Sequence, residues 1–205
     1  FNATEDAGYI AIGYYCNGAR NFYLKDDVAV TSPAVLKGKK IRSMVSSTSM
    51  DMIEAMGGSP VPMSASETYT SLQQGIVDGA ENTELALTVD KHEEIVKSYT
   101  YTEHQYTPDI YIISTKVWNK LSTEQQDYLL ECFSKLNDNF VQKYNQMMDD
   151  AMTEAESYGV HVYRDIDKTP FIEAVQPIHQ NFLAKGESYQ KLYDDIQSYA
   201  EDTSK

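Results

Sequence analysis

Only three arginines occur in the 205 residues, and two of them stand where a guanidinium can do chemistry. Arg42 lies near the end of a strand-like run, KIRSMV (Lys40–Val45). Arg20 lies in a polar turn, NGARNF, just after another such run, YIAIGYYC (Tyr9–Cys16). In open α/β sheets the carboxyl ends of strands face the crevice where ligands bind. A guanidinium there clamps a carboxylate through two parallel hydrogen bonds and never loses its charge. An ordinary internal salt bridge is the competing use in so acidic a chain. The segment IVDGAENT (Ile76–Thr83) adds a third candidate. Asp78-Gly79 is a turn signal, and Asn82 carries both a donor and an acceptor. Asn82 therefore suits a polar ligand, and by spacing it suits capping the next helix even better.

Signatures of covalent or cofactor chemistry are missing. The chain has no GxSxG elbow, no HExxH, no GxGxxG after a strand and no phosphate loop; in LKGKK, Pro33 occupies the place of the first loop glycine. His92, His104, His161 and His179 are scattered without an i, i+4 pair and read as surface or structural histidines. Cys16 and Cys132 match no metal-ligand spacing and read as free, buried thiols. No cofactor and no metal is implied. The balance of 17 Lys+Arg against 31 Asp+Glu gives a net charge of −14, which a nucleic acid or an anionic bilayer repels. No stretch approaches the ~18 consecutive apolar residues of a membrane span.

The elements that must position these residues follow from patterning. Tyr9–Cys16 reads as a buried strand, followed by a polar stretch, Asn17–Ser32. Ser32-Pro33 opens one helical turn that Gly38 stops. Strand Lys40–Val45, helix Ser47–Met56, extended Pro60–Met63, a helix from the capping box Ser64–Glu67 to Gln74, and the lead-out Ile76–Val77 then alternate. That alternation argues for a small parallel or mixed sheet with covering helices. Asp90–Ser98 reads as a short helix, and Tyr99–Thr102 and Asp109–Ser114 as two strands. A second capping box, Ser122–Gln125, starts a run without Gly or Pro to Tyr158. Its apolar residues Leu129, Phe133, Leu136, Phe140, Tyr144, Met147/Met148, Met152 and Ala155 recur in steps of three and four, one face of a helix. A rod of ~50 Å exceeds one lobe of this size, so the helix bridges two lobes. Strand Val160–Tyr163 and helices Pro170–Ala184 and Glu187–Ala200 close the chain.

The strings LKGKKIR (Leu36–Arg42), GGSPVPMSASETYTSLQQGIVDGAEN (Gly57–Asn82), EEIVKSYTYTEH (Glu93–His104) and KVWNKLS (Lys116–Ser122) resemble, in order and spacing, the DctP family. These are extracytoplasmic solute-binding proteins of tripartite ATP-independent periplasmic (TRAP) transporters. GYYCNGARNF resembles the family's Gly-x-Arg turn, and the resemblance covers roughly residues 8–165. It implies an α/β, two-lobed, periplasmic-binding-protein-like fold with a long lobe-spanning helix. The family's carboxylate-binding arginine falls on Arg42, an auxiliary arginine on Arg20 and the ligand-contacting asparagine on Asn82. Glu67 lies in the family's Glu-x-Tyr-x-x-Leu-Gln stretch, near the ligand, although the capping box alone accounts for it. Ala65 stands where many members carry Phe, and Ser43-Met44 where many carry Val-Pro; both bear on which ligand fits.

Members run to about 300 residues after their leader, so the resemblance implies a chain that starts about a third of the way in. Residues 1–19 and 106–147 then belong to an incomplete N-terminal-type lobe, and residues 20–105 and 148–205 to a second α/β lobe. Exposed apolar surface on the incomplete lobe implies self-association. The function implied is capture of a dicarboxylate or sugar acid and its delivery to a membrane permease, outside the cytoplasm, in a periplasm or lipid-anchored at the cell surface. Two other classes remain: a secreted lyase or isomerase using Glu67 or His104 as base, and a ligand-sensing ectodomain.

Overall fold

The computed structural model describes residues 2–202. In chain order the elements are β1 (Tyr9–Leu24), α1 (Pro33–Leu36), β2 (Lys40–Ser43), α2 (Ser47–Ala55), β3 (Ser59–Pro62), α3 (Ala65–Gln73), β4 (Gly79–Asn82), α4 (Leu85–Val89), β5 (Ser98–Ser114), α5 (Thr115–Trp118), α6 (Thr123–Ser157), β6 (His161–Tyr163), α7 (Thr169–Leu183) and α8 (Glu187–Asp202). The class is α/β, as the alternation requires. The chain divides into two compact units, one of Phe1–Val28 and Glu81–Arg164, the other of Ala29–Ala80 and Asp165–Lys205.

In the first unit β1 and β5 form one antiparallel ladder from Tyr9↔Ser114 to Leu24↔Ser98. This revises two expectations. The polar stretch after Cys16 continues the strand to Leu24, and the two strands around His104 are one. Three register shifts, the last between Arg20 and Phe22, absorb the residues that break the alternation. Pro108 sits opposite Cys16, beside one of them. The helix expected over Asp90–Ser98 is absent. Lys91 is left-handed, with φ 58°, and only a 3-10 turn, His92–Glu94, follows it.

Helix α6 lies wholly within this unit. Ser122 and Gln125 form its capping box, with N–H to side-chain oxygen distances of 3.3 and 2.9 Å. Its 35 residues make a rod of about 50 Å. The expected stripe divides in two. Tyr144, Met152 and Ala155 are buried, Phe133 and Phe140 are half-buried, and Leu136 and Met147 are exposed. Phe133 lies so close to Gly13 that a Cβ there would sit 3.1 Å from it. Phe140 packs edge-on against Tyr15, and the Tyr144 hydroxyl donates to the Asn17 carbonyl. Tyr14, Ile110 and Ile112 are exposed on the neighbouring strands. Cys16 and Cys132 are free, as expected, but exposed rather than buried. They share the sparsely covered parts of β1 and α6.

In the second unit β2 runs parallel to β3 (Lys40↔Ser59 to Ser43↔Pro62) and to β4 (Ile41↔Gly79, Arg42↔Ala80). Helices α2 and α3 are the crossovers. Leu36, Ile41, Ile53, Met56, Leu72 and Phe171 are buried. Gly57 ends α2 with φ 90°, and a Cβ there would lie 2.5 Å from the Pro33 carbonyl oxygen. Left-handed strain and overlap act together at that site. Gly57→Ala is expected to cost about 2 kcal/mol, seen as a drop of roughly 4–8 °C in Tm.

The unit boundaries at 28/29, 80/81 and 164/165 differ from the lobe boundaries read from the resemblance at 19/20, 105/106 and 147/148. The latter cut β1, β5 and α6 midway, whereas within this chain the continuous ladder keeps each of these elements in one unit.

Candidate functional site

Arg42 sits on β2, the central strand of the parallel trio, opposite Val61 on one side and Ala80 on the other. It is 5% exposed. Its Nη2 donates to the Met63 carbonyl at 2.9 Å, at the carboxyl end of β3. Its Nε is buried without a partner. Among the described residues no carboxylate pairs with it. A guanidinium cannot shed its proton to escape burial. A buried cation with one neutral acceptor is costly and favours an anion beside it.

Arg20 is used differently. It is 8% exposed, and four hydrogen bonds leave its guanidinium within the first unit. Nε and Nη2 hold the Glu81 carboxylate at 2.5 and 2.9 Å, Nη2 also reaches the Glu81 carbonyl, and Nη1 donates to Asn82 Oδ1 at 2.8 Å. Glu81 is fully buried. Burial pushes its pKa up, but His104 and Arg20 outweigh it and hold the carboxyl below its ordinary value. His104 Nε2 lies 3.6 Å from that carboxylate, too far for a good hydrogen bond. The ring stacks on Phe22, and Nδ1 meets the Thr102 hydroxyl at 2.7 Å. His104 is thus structural, as the sequence indicates.

Asn82 is fixed from three directions. Its Oδ1 accepts from Arg20 and from the Thr83 N–H at 2.9 Å, and its carbonyl accepts from the Tyr99 hydroxyl. Two N–H donors on one atom settle the orientation of the amide. The NH2 has no partner among the described residues, so Asn82 offers donors only. The next helix has Glu84, not Asn82, at its N-cap. Glu67 is exposed and serves the capping box of α3, its Oε2 accepting from the Ser64 N–H and hydroxyl at 3.0 and 2.5 Å. Those bonds lower its pKa.

Glu81 escaped the sequence reading. Its signal was its place in VDGAEN, on the strand end where Arg20 needed a counter-charge. Glu84 also carries information: it is buried, and its Oε2 lacks a partner. Burial, helped by the charge of Glu103, raises its pKa. A carboxyl whose folded pKa lies above its unfolded one loses stability as pH rises through that interval. Glu84→Gln is expected to raise Tm at neutral pH and to flatten its decline as pH rises above the ordinary carboxylate range, as read by thermal melts.

The sequence matches the model of bacterial extracellular solute-binding protein, family 7 (DctP), over residues 1–186. It is 40% identical over 200 residues to the Salmonella typhimurium protein YiiZ, covering 97% of this chain and 60% of that one. A TRAP periplasmic solute-binding protein from Anaerococcus prevotii, solved with bound α/β-D-glucuronate, superposes with a TM-score of 0.91 at 37% identity. That match covers 98% of this chain and 65% of the Anaerococcus chain. One from Xanthobacter autotrophicus, solved with bound β-D-galacturonate, gives 0.88 at 30% identity, over 95% of this chain and 64% of that one. The chain therefore spans about 60% of the length of its Salmonella relative.

Proposed function

The chain belongs to bacterial extracellular solute-binding protein family 7, DctP, and on that premise we propose that it serves in an extracytoplasmic receptor that captures a small organic acid for a TRAP transporter. The observation that carries this reading is Arg42, a buried guanidinium with no counter-charge among the described residues. An incoming carboxylate supplies that charge. Asn82, whose oxygen is already held and whose NH2 is restricted to donation, suits an acceptor oxygen of a polar ligand. Arg20 positions Asn82 through Nη1 and directs its other hydrogen bonds to Glu81.

A sugar acid, and a uronate in particular, is the ligand class best supported, because the Anaerococcus and Xanthobacter neighbours were solved with D-glucuronate and β-D-galacturonate. Dicarboxylates are the second class. The acid is bound and released unchanged: Glu67 is committed to a helix cap, and His104 to the Thr102 hydroxyl and a stack on Phe22. In this proposal residues 1–19 and 106–147 contribute to one lobe, residues 20–105 and 148–205 to the other, and α6 runs through both. Hinge closure on the acid creates the form that a membrane permease recognises, in a periplasm or at the cell surface. Self-association through the exposed Tyr14, Ile110 and Ile112 belongs to the same reading.

An affinity near 1 μM requires about 8 kcal/mol, within reach of a desolvated bidentate pair and several hydrogen bonds. The test is a thermal-shift panel of D-glucuronate, D-galacturonate, succinate and pyruvate, with NMR of the recovered acid. A bound acid raises Tm by mass action and returns unaltered. No shift with any acid, or conversion of one, would end this reading.

A further inference from the structure

We propose that Tyr99 is a positioning residue for ligand capture, its hydroxyl fixing the main chain of Asn82 so that the Asn82 NH2 faces the acid, with Asn21 setting the direction of that hydroxyl. This rests on the receptor reading and adds a layer behind the ligand contacts.

The network is built at an irregularity of the β1–β5 ladder. Between Arg20↔Gln105 and Phe22↔Thr100, Asn21 alone stands opposite residues 101–104. A ladder cannot pair so uneven a stretch, and its buried backbone groups need other partners. The Asn21 side chain supplies one. Its Oδ1 accepts from the Glu103 N–H at 2.8 Å, where the Glu103 backbone is left-handed with φ 45°. That main-chain donor settles the amide, because only the oxygen can face it. Both protons of Nδ2 are then committed, one to the Ala19 carbonyl at 3.1 Å and one to the Tyr99 hydroxyl oxygen at 3.0 Å.

A direction follows. With Asn21 donating to Tyr99, the hydroxyl proton is left for the Asn82 carbonyl, 3.2 Å away. Burial pushes the Tyr99 pKa well above its ordinary value, so the hydroxyl remains a donor at neutral pH. Asn21 and Tyr99 are both fully buried. The Tyr99 ring is held by Tyr23, stacked at 6.1 Å, and by Tyr101, edge-on at 5.3 Å. A donor fixed in this way fixes its acceptor. Arg20 and the Thr83 N–H hold the side-chain oxygen of Asn82, and Tyr99 holds the peptide from which that side chain extends. All of these residues lie in the first unit. The hydrogen bonds run one way, from Glu103 through Asn21 and Tyr99, and end on a residue whose NH2 has no partner among the described residues. Packing alone asks for the ring of Tyr99, not for a hydroxyl oriented towards Asn82.

A double-mutant cycle tests this. Tyr99→Phe keeps the ring and removes the hydroxyl. In the receptor at the length of its relatives, calorimetric titration is expected to show D-glucuronate bound about 5- to 10-fold more weakly. Asn82→Ala removes the side chain that meets the ligand and keeps the carbonyl that accepts from Tyr99. In that background Tyr99→Phe is expected to change affinity by less than about 2-fold, while lowering Tm as much as it does in the parent. Asn21→Asp has the same shape but accepts where asparagine donates, which draws the hydroxyl proton away from the Asn82 carbonyl. It is expected to repeat the pattern, any general effect of its added charge being common to both backgrounds. An equal fold loss in the two backgrounds makes Tyr99 a structural residue and overturns the proposal, as does parent-like affinity in Tyr99→Phe. When the parent binds, either result leaves the receptor reading standing. A parent that binds none of D-glucuronate, D-galacturonate and succinate overturns both readings.

Discussion

Arg42→Ala should weaken D-glucuronate binding by at least about 100-fold in the receptor at the length of its relatives. Hydrogen bonds to charged groups contribute about 1.5–3 kcal/mol each, and a bidentate guanidinium makes two. Loss of about 3–5 kcal/mol moves a micromolar affinity to the edge of detection. Arg42→Lys should retain part of it, since an ammonium keeps the charge but loses the fork. Stability should respond in the opposite sense. The unliganded protein holds Arg42 in a buried place with one neutral acceptor, so Arg42→Met, close in length, should leave Tm unchanged or raise it. A structural arginine would show the reverse pattern, a lower Tm with ligand affinity intact. Calorimetry and a thermal melt on the same three variants separate the cases.

How far the chain itself disclosed this arrangement depends on the range of the interaction. Local signals carry through: both capping boxes, Gly57 at the end of α2, and the parallel strands around Arg42 all follow from neighbours a few residues apart. The elements that were misread need a partner far along the chain. Asn17–Leu24 is polar and loop-like alone, and becomes strand only because Ser98–Gln105 lies opposite with shifts that accommodate it. The same holds for the site. Arg42 is marked out as a candidate by its place on a strand end, which is local. Arg20 was given an auxiliary ligand role, and its partner Glu81 lies 61 residues away, visible only once β1 and the end of β4 share a unit. By sequence Asn82 suits either a ligand or a cap; the fold decides against the cap, because Glu84 is the N-cap of α4 and the Asn82 oxygen is held by Arg20 and the Thr83 N–H.

That buried pair carries the largest expected effect on stability. Arg20→Met leaves Glu81, fully buried, without its main counter-charge. Breaking a buried pair from one side costs about 3–5 kcal/mol, roughly 10 °C in Tm for a chain of this size. The pH dependence should also change sign. With Arg20 present, the Glu81 carboxyl titrates below its ordinary value, so the pair's contribution is complete above that value and fades as pH falls through the lowered one. Without Arg20, burial weighs against the charged carboxylate, and the folded state gains by taking up a proton on Glu81. The variant should therefore become more stable as pH falls towards the ordinary carboxylate range. Glu81→Leu in the Arg20→Met background removes the stranded charge and should recover much of the loss, since an apolar pair of similar volume replaces the ionic one. It should not recover ligand affinity, because Asn82 has then lost the Nη1 donor that fixes its amide. Thermal melts across pH on the single and double variants read the first effect, and titration with D-glucuronate reads the second. Equal recovery of both would mean that the pair serves the fold alone and leaves the orientation of Asn82 to the backbone.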